Sequence, residues 1–408
     1  MNKIEPRTLK GFRDFLPNEA RKRQYIIEIL KKVFESYGFE RLETPSLEYE
    51  DILLGKYGEE GDKLMYRFED NGGRRVALRY DQTVPLARVV AQFSNTLPTP
   101  FKRYQMQNVW RADNTQKGRF REFLQCDIDT ISSDSPMADA EIIACAAQAL
   151  KKLGFEKFRF FINDRKIFKD ISNVAIGAID KLKKIGEERV VEELVTRGEY
   201  DTSEKATQVL LEIKQSTPTY WIEEVISKAK SLGVDENQLA FTPTLARGLD
   251  YYTSTIIELE IEGYTAGSVG GGGRYDNLIG IFSGQDIPAV GFAFGFDRLI
   301  EAMEEKKLFP PDLTTTKVLV TTPSPKLLTI SLSISNLLRS NSINTEVWLD
   351  ENAKLERQFK YAEKKDISYV VIPLDNETVE LRSKSKSGKI TKNKLRTDQL
   401  LEQFKYSI

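Results

Sequence analysis

Between Arg119 and Ile131 the sequence RFREFLQCDIDTI alternates with period two. Arg119, Arg121, Phe123, Gln125, Asp127 and Asp129 fall on one parity, and Phe120, Leu124, Cys126 and Ile128 on the other. Side chains of a strand point alternately to opposite faces, so this segment is predicted to put its even residues in a core and its odd residues on a polar face. The preceding run FKRYQMQNVWR, Phe101 to Arg111, is joined to it by the polar stretch ADNTQKG, which predicts an antiparallel pair. The polar row begins cationic, passes an aromatic ring, and ends in an amide and two carboxylates. An ordinary solvated face is the alternative reading.

A second constraint is GSVGGGGRYD, Gly267 to Asp276, with four successive glycines after an apolar run. It is not a P-loop, because no GK[ST] follows, and it lacks the GxGxxG spacing of a dinucleotide site. A bulge or turn in a sheet and a close approach of ligand to main chain both stay open.

The chain of 408 residues contains no histidine. That excludes Ser-His and Cys-His pairs, the HExxH zinc site and any imidazole base. Chemistry here must run on carboxylates, arginines, lysines, hydroxyls and backbone, which suits phosphoryl or nucleotidyl transfer. The two cysteines, Cys126 and Cys145, are too few for a disulfide framework or a four-thiolate zinc site. With a net charge of −1, any nucleic-acid surface must be a local patch. No apolar leader or long apolar span is evident, so a soluble, cytoplasmic protein is expected, with no membrane association.

Ile26, Ile29, Leu30, Val33, Phe34 and Tyr37 recur at helical spacing before Gly38, which predicts an amphipathic helix from Asn18 to Tyr37. MYRFED and RRVALRY flank Asn71-Gly72-Gly73, a hairpin signal, and Met137 to Leu153 reads as a helix. Residues 163–240 are rich in lysine- and glutamate-bearing helical segments and read as a helical insertion. Sheet patterning is expected again from Leu245 to Ile261 and through IPAVGFAFGFDRLIEAM. After Pro310-Pro311, alternating apolar and helical runs predict a separate small α/β domain. The expected division is therefore 1–162 with 241–311 as a catalytic domain, 163–240 as an insertion, and 316–408 as a C-terminal domain.

The segments GFRDFLP, LRYDQTVPLAR, NVWRADNTQKGRFREFLQCDID, LARGLDYY, GGGGRYD and AVGFAFGFDRL resemble, in order, those of the histidyl-tRNA synthetases, a family of class II aminoacyl-tRNA synthetases. The likeness runs from about Gly11 to Glu301. It implies an α+β fold: a class II antiparallel sheet flanked by helices, with a helical insertion and an α/β anticodon-binding domain. The row from Phe123 to Asp129, roughly 20 Å at about 3.3 Å per residue, is long enough to lie under a nucleotide joined to an amino acid.

The resemblance implies ATP with Mg²⁺, L-histidine and histidine tRNA as partners. It gives Arg111, Asp113, Arg119, Phe123 and Arg298 to ATP, with Arg111 and Arg119 on its phosphates, Phe123 on adenine and Arg298 over the nucleotide and its terminal phosphate. Asp81, Thr83 and Gln125 go to the substrate ammonium, and Asp129 and Tyr252, with Tyr251 beside them, to the imidazole. Arg247 goes to the α-phosphate and carboxylate, as a catalytic residue with Arg111. The family often has glutamate where Asp81, Asp113 and Asp129 stand, and the shorter acids leave room for a bridging water. Parity alone does not bring Arg247 and Tyr252 to one face, so a bend at Gly248 is expected. The glycine run is expected to floor the amino-acid pocket.

The first helix and the strand at Pro45 correspond to class II motif 1, which implies a homodimer. LRSKSKSGKITKNKLR, with about seven cations around a Ser-Gly turn, is either a solvated face or a tRNA backbone contact. The competing reading is a catalytically silent paralogue, the regulatory subunit of ATP phosphoribosyltransferase. Intact Arg247 and LARGLDYY stand against it.

Overall fold

The computed structural model describes residues 4–56, 58–115, 120–247, 251–384 and 389–404. Arg119, Gly248 and the Ser387-Gly388 turn, each given a part above, lie outside them. The chain divides into two units, one of Met1–Leu16 and Lys22–Phe309, the other of Pro17–Arg21 and Pro310–Ile408.

The first unit contains β1 (Glu40–Arg41), β2 (Leu47–Tyr49), β3 (Arg67–Glu69), β4 (Arg75–Leu78), β5 (Phe101–Trp110) and β6 (Glu122–Ile131). It continues with β7 (Phe158–Asp164), β8 (Leu239–Phe241), β9 (Thr255–Ile261), β10 (Gly270–Arg274) and β11 (Ala289–Gly295). β2, β4 and β3 form a three-stranded sheet built on the hairpin at Asn71-Gly72-Gly73. The others form one eight-stranded sheet in the order β1-β5-β6-β11-β10-β9-β7-β8. It is antiparallel except at its two edges, where β1 pairs with β5 and β7 with β8 in parallel.

One face of this sheet is the core. Leu124, Cys126 and Ile128 of β6, with Phe292 and Phe294 of β11, meet helices Pro17–Ser36 and Pro136–Lys152. Phe34 of the first helix is wholly buried, its ring 5.8 Å from Tyr104 and 6.1 Å from Phe294. Burial of one such ring contributes about 1.5–3 kcal/mol. Gly38 and Gly154 end these helices with φ of 77° and 93°, left-handed positions that favour glycine.

Of the lysine- and glutamate-rich stretch, helices Asn173–Ile179, Glu187–Thr196 and Ser203–Lys214 share a separate small core. Helix Tyr220–Ser231 instead buries Ile222, Val225 and Ala229 in the main core.

Two expectations need correction. Phe120 is not in the core: β6 begins only at Glu122, and Phe120 lies before it under the Arg13 guanidinium, 3.2 Å from the ring centre. The strand expected from Leu245 begins only at Thr255. A turn from Thr242 to Leu245 and a left-handed Arg247, φ 41°, break the extended chain first.

The second unit contains β12 (Val318–Val320), β13 (Thr345–Val347), β14 (Tyr369–Pro373), β15 (Thr378–Lys384) and β16 (Ile390–Arg396), in the order β13-β12-β14-β15-β16. Val318, Val320 and Val371 face helix Leu328–Ser340, while Leu319, Val370 and Ile372 face the side of Ala362 in helix Leu355–Lys364. β15 and β16 pair antiparallel, and β16 exposes Lys392 and Lys394.

Candidate active site

The free face of the large sheet carries the polar row, and register sets what surrounds it. Gln125, Asp127 and Asp129 of β6 stand opposite Gln107, Gln105 and Arg103 of β5, and opposite Gly295, Ala293 and Gly291 of β11. The alternation GFAFG thus sends its phenylalanines into the core and leaves small residues beside the carboxylates. A cleft of about 470 Å³ opens over this field.

Asp81, Thr83, Arg111, Asp113, Phe123, Gln125, Asp129, Arg247, Tyr251, Tyr252 and Arg298 all line it. The segment holding Asp81 and Thr83 is tied down by its neighbours. Arg79, buried, donates from Nε to Asn108 O at 2.8 Å and from Nη1 to Thr44 O at 2.7 Å. Gln82 donates to Gln107 O and Gln125 O at 2.8 and 3.1 Å, which joins this segment to β5 and β6.

At one end of the cleft Arg111 donates to Tyr80 O at 3.0 Å and to Gln125 Oε1 at 3.4 Å, and lies over Phe123 at 5.2 Å. Asp113 O accepts from Arg121 Nε at 3.1 Å. Arg298 donates to Ser268 O at 2.6 Å, while its neighbour Asp297 is held by Arg13 and Arg23 at 2.8 Å each. This end presents cationic groups around an aromatic ring.

β10 carries the four glycines, and they divide by parity. A Cβ at Gly271 would stand 1.7 Å from Arg247 Nη1, and one at Gly273 2.3 Å from Thr255 O and 2.8 Å from the Tyr252 ring. Gly270 and Gly272 also line the cleft, through backbone alone. Their Cβ atoms would meet the Phe292 ring at 2.7 Å and Gly291 O at 2.0 Å, on the side packed against β11. All four glycines thus line the cleft, but the nearest obstacle differs: the Arg247 side chain at Gly271, the Phe292 ring at Gly270, and backbone oxygen at Gly272 and Gly273.

The opposite end is carboxylate and phenol. Asp129 is 3% exposed; Tyr275 donates its hydroxyl to Oδ1, and Oδ2 forms an ion pair with Arg103 Nη2 at 2.7 Å. A Cβ at Gly291 would lie 1.9 Å from Asp129 Oδ1, so this carboxylate needs a glycine beside it. Tyr251 packs edge-on against Tyr252 and Tyr275 at 5.0 and 5.9 Å. Burial raises the pKa of all three phenols, keeping their hydroxyls as donors.

Asp127, between Gln125 and Asp129, accepts from Gln125 Nε2 at 2.7 Å through Oδ2, and its Oδ1 has no hydrogen-bond partner among the described residues. Burial pushes its carboxyl up to about 7 despite Arg103, and Asp129 and Asp81 add to the rise. Burial also raises Asp129, against the pull of Arg103 and of the Tyr275 hydroxyl. One guanidinium facing two buried carboxylates cannot hold both ionised without cost.

Three residues of this end had no role assigned from sequence: Arg103, Asp127 and Tyr275. Arg103 shares odd parity with Gln105 and Gln107 on the strand predicted to pair with β6. That was the available signal, but its use required the register Arg103 opposite Asp129. Among the described residues no cluster of three or more acidic or thiol side chains is set to hold a metal. None of the described helices is long and apolar enough to cross a membrane.

The histidyl-tRNA synthetase family model matches residues 11–220 and 175–299. A histidine–tRNA ligase of Helicobacter hepaticus is 40% identical over 411 residues, covering 92% of each chain. One of Treponema denticola is 38% identical over 396 residues, covering 90% of this chain and 88% of its own. The crystal structure of histidyl-tRNA synthetase from Nostoc superposes with a TM-score of 0.85 at 30% identity, over 100% of both chains. With its α+β architecture and its arginine-, carboxylate- and phenol-lined cleft, the chain belongs to the histidyl-tRNA synthetase family, among the class II aminoacyl-tRNA synthetases.

Proposed function

We propose that this cleft performs the family's reaction, so that the chain is a histidine–tRNA ligase: it joins histidine to ATP as histidyl-adenylate and passes the histidyl group to the 3′ end of histidine tRNA. The observation that carries this reading is the polarity of the row. Cations around Phe123 occupy one end, a carboxylate with buried phenols the other, and both lie on one rigid sheet face over a glycine floor.

In this reading Arg111, Arg119 and Arg298 hold the ATP phosphates, Asp113 stands beside the nucleotide, and Phe123 stacks on adenine. Asp81, Thr83 and Gln125 take the ammonium. Asp129 and Tyr252 bond the two ring nitrogens, with Tyr251 packed behind Tyr252. Asp129 comes to this task already held by Arg103 and Tyr275, which fixes its orientation. An oxygen of the histidine carboxylate attacks the α-phosphorus in line, and pyrophosphate leaves. Arg247 and Arg111 neutralise charge as it grows there, so no imidazole base is needed. The terminal ribose hydroxyl of tRNA then attacks the carbonyl carbon, and AMP leaves.

Mg²⁺ carried by the nucleotide adds electrostatic stabilisation when bound. It needs only one or two protein carboxylates, and Asp113 is suitably sited to supply one. An amino acid without the ring nitrogens would strand buried polar groups and be rejected. The boundaries 1–162 with 241–311, 163–240 and 316–408 are proposed as catalytic, insertion and anticodon-binding domains. The basic β15–β16 pair is proposed to meet tRNA, motif 1 to form a homodimer, and the cytoplasm to be the working compartment. ATP-dependent charging of histidine tRNA by the purified chain tests the assignment; failure to charge that tRNA under saturating ATP and histidine would remove it.

A further inference from the structure

We propose that Asp127 is a substrate-binding residue whose second carboxylate oxygen receives a hydrogen bond from the α-ammonium of the amino-acid substrate. The inference rests on the histidine-pocket reading above. Asp127 is 3% exposed and lines the cleft, yet Oδ1 has no hydrogen-bond partner among the described residues. An unpartnered buried acceptor is costly unless something in the working state satisfies it. Arg103 does not: its Nη2 lies 3.9 Å from Asp127 Oδ2, against 2.7 Å from Asp129 Oδ2. Gln125 bonds the other oxygen and so fixes the carboxylate plane.

Position along the row selects the donor. The carboxylate of the substrate must reach the α-phosphorus and therefore faces the Arg111 end, while the ring faces Asp129. The ammonium lies between them, and so does Asp127. Asp81 and Asp127 line the same cleft. An ammonium has three N–H donors to distribute, and a second carboxylate gives it a charge-assisted partner. A neutral amide at 127 could accept but would not supply the charge.

The test separates ammonium from ring by choice of probe. Histidinol keeps ring and ammonium and lacks the carboxylate, whereas imidazolepropionic acid keeps ring and carboxylate and lacks the ammonium. Binding of each to the full-length protein and to Asp127→Asn is measured by calorimetry at pH 8. Histidinol affinity should fall 10- to 100-fold in the variant, and imidazolepropionate affinity should change less than 3-fold. ATP affinity should be unchanged, and Asp127→Ala should repeat the pattern. Equal loss for both probes would overturn the ammonium assignment in favour of ring recognition or general damage, and unchanged histidinol binding would overturn it outright. Failure of the unsubstituted protein to bind either probe would instead remove the underlying histidine-pocket reading.

Discussion

Alanine at 271 would place a methyl carbon 1.7 Å from Nη1, 2.3 Å from Cζ and 2.8 Å from Nη2 of Arg247, with no closer backbone contact. Non-bonded atoms settle at about 3.5–4 Å, so the guanidinium must retreat by roughly 1.5–2 Å. It is the far end of a flexible side chain, and the move should cost the fold little. It should cost the reaction much more. Loss of one charge-stabilising donor costs about 100- to 1000-fold in rate, about 2.7–4 kcal/mol of transition-state stabilisation, and a displacement near 1 Å can cost about 100-fold by itself.

Gly271→Ala should therefore melt close to the unsubstituted protein while histidine-dependent pyrophosphate exchange falls by about 100-fold or more. Gly272→Ala is the control. Its Cβ meets Gly291 O at 2.0 Å and the Phe292 Cα at 2.7 Å, both backbone, so β10 and β11 must move apart. That variant should lose about 1–3 kcal/mol of stability or more. Because Gly271 acts through Arg247, the double variant Gly271→Ala/Arg247→Ala should be no slower than Arg247→Ala alone. Wild-type exchange by Gly271→Ala, or destabilisation equal to that of Gly272→Ala, would show that Gly271 does not act through Arg247.

Tyr275→Phe removes a donor from a buried carboxylate and should weaken histidine binding by about 1–3 kcal/mol with ATP binding unchanged, as measured by titration with each ligand. Asp127 has a folded-state pKa above its ordinary value, so the native state binds the extra proton. Its contribution therefore lowers stability as pH rises from about 4 to about 7, by up to about 1.4 kcal/mol per pH unit. Asp127→Asn should flatten that slope in urea melts; an unchanged slope would argue against the shift. Ending the chain after Pro311 should retain histidine activation and lose most tRNA charging, compared by exchange and aminoacylation assays on the same preparation. Lys392→Glu/Lys394→Glu should raise KM for tRNA and reduce its salt dependence while leaving exchange intact.

The period-two row was legible because side-chain alternation is local, and from Glu122 to Ile131 β6 follows it. Gly271 and Gly272 looked alike because glycine carries no pattern of its own. Only pairing with β11 reveals that one faces Arg247 and the other Gly291 O. Arg103 was hidden for the same reason: its partner Asp129 is cross-strand, and register is a long-range property. Tyr275 sat inside a quoted motif, but only the tertiary approach of β10's end to β6 joins its hydroxyl to Asp129. The left-handed backbone at Arg247 was not legible, because positive φ is uncommon for a residue other than glycine.

Histidine activation is tested most directly by amino-acid-dependent exchange of labelled pyrophosphate into ATP by the purified chain, run with each of the twenty amino acids. Exchange with histidine alone, reduced about 100- to 1000-fold by Arg247→Ala in a protein that stays folded, is the predicted result. Exchange with no amino acid would contradict a synthetase and direct the next assay to binding of an ATP phosphoribosyltransferase catalytic subunit. Exchange with an amino acid other than histidine would contradict the reading of Asp129 and Tyr252.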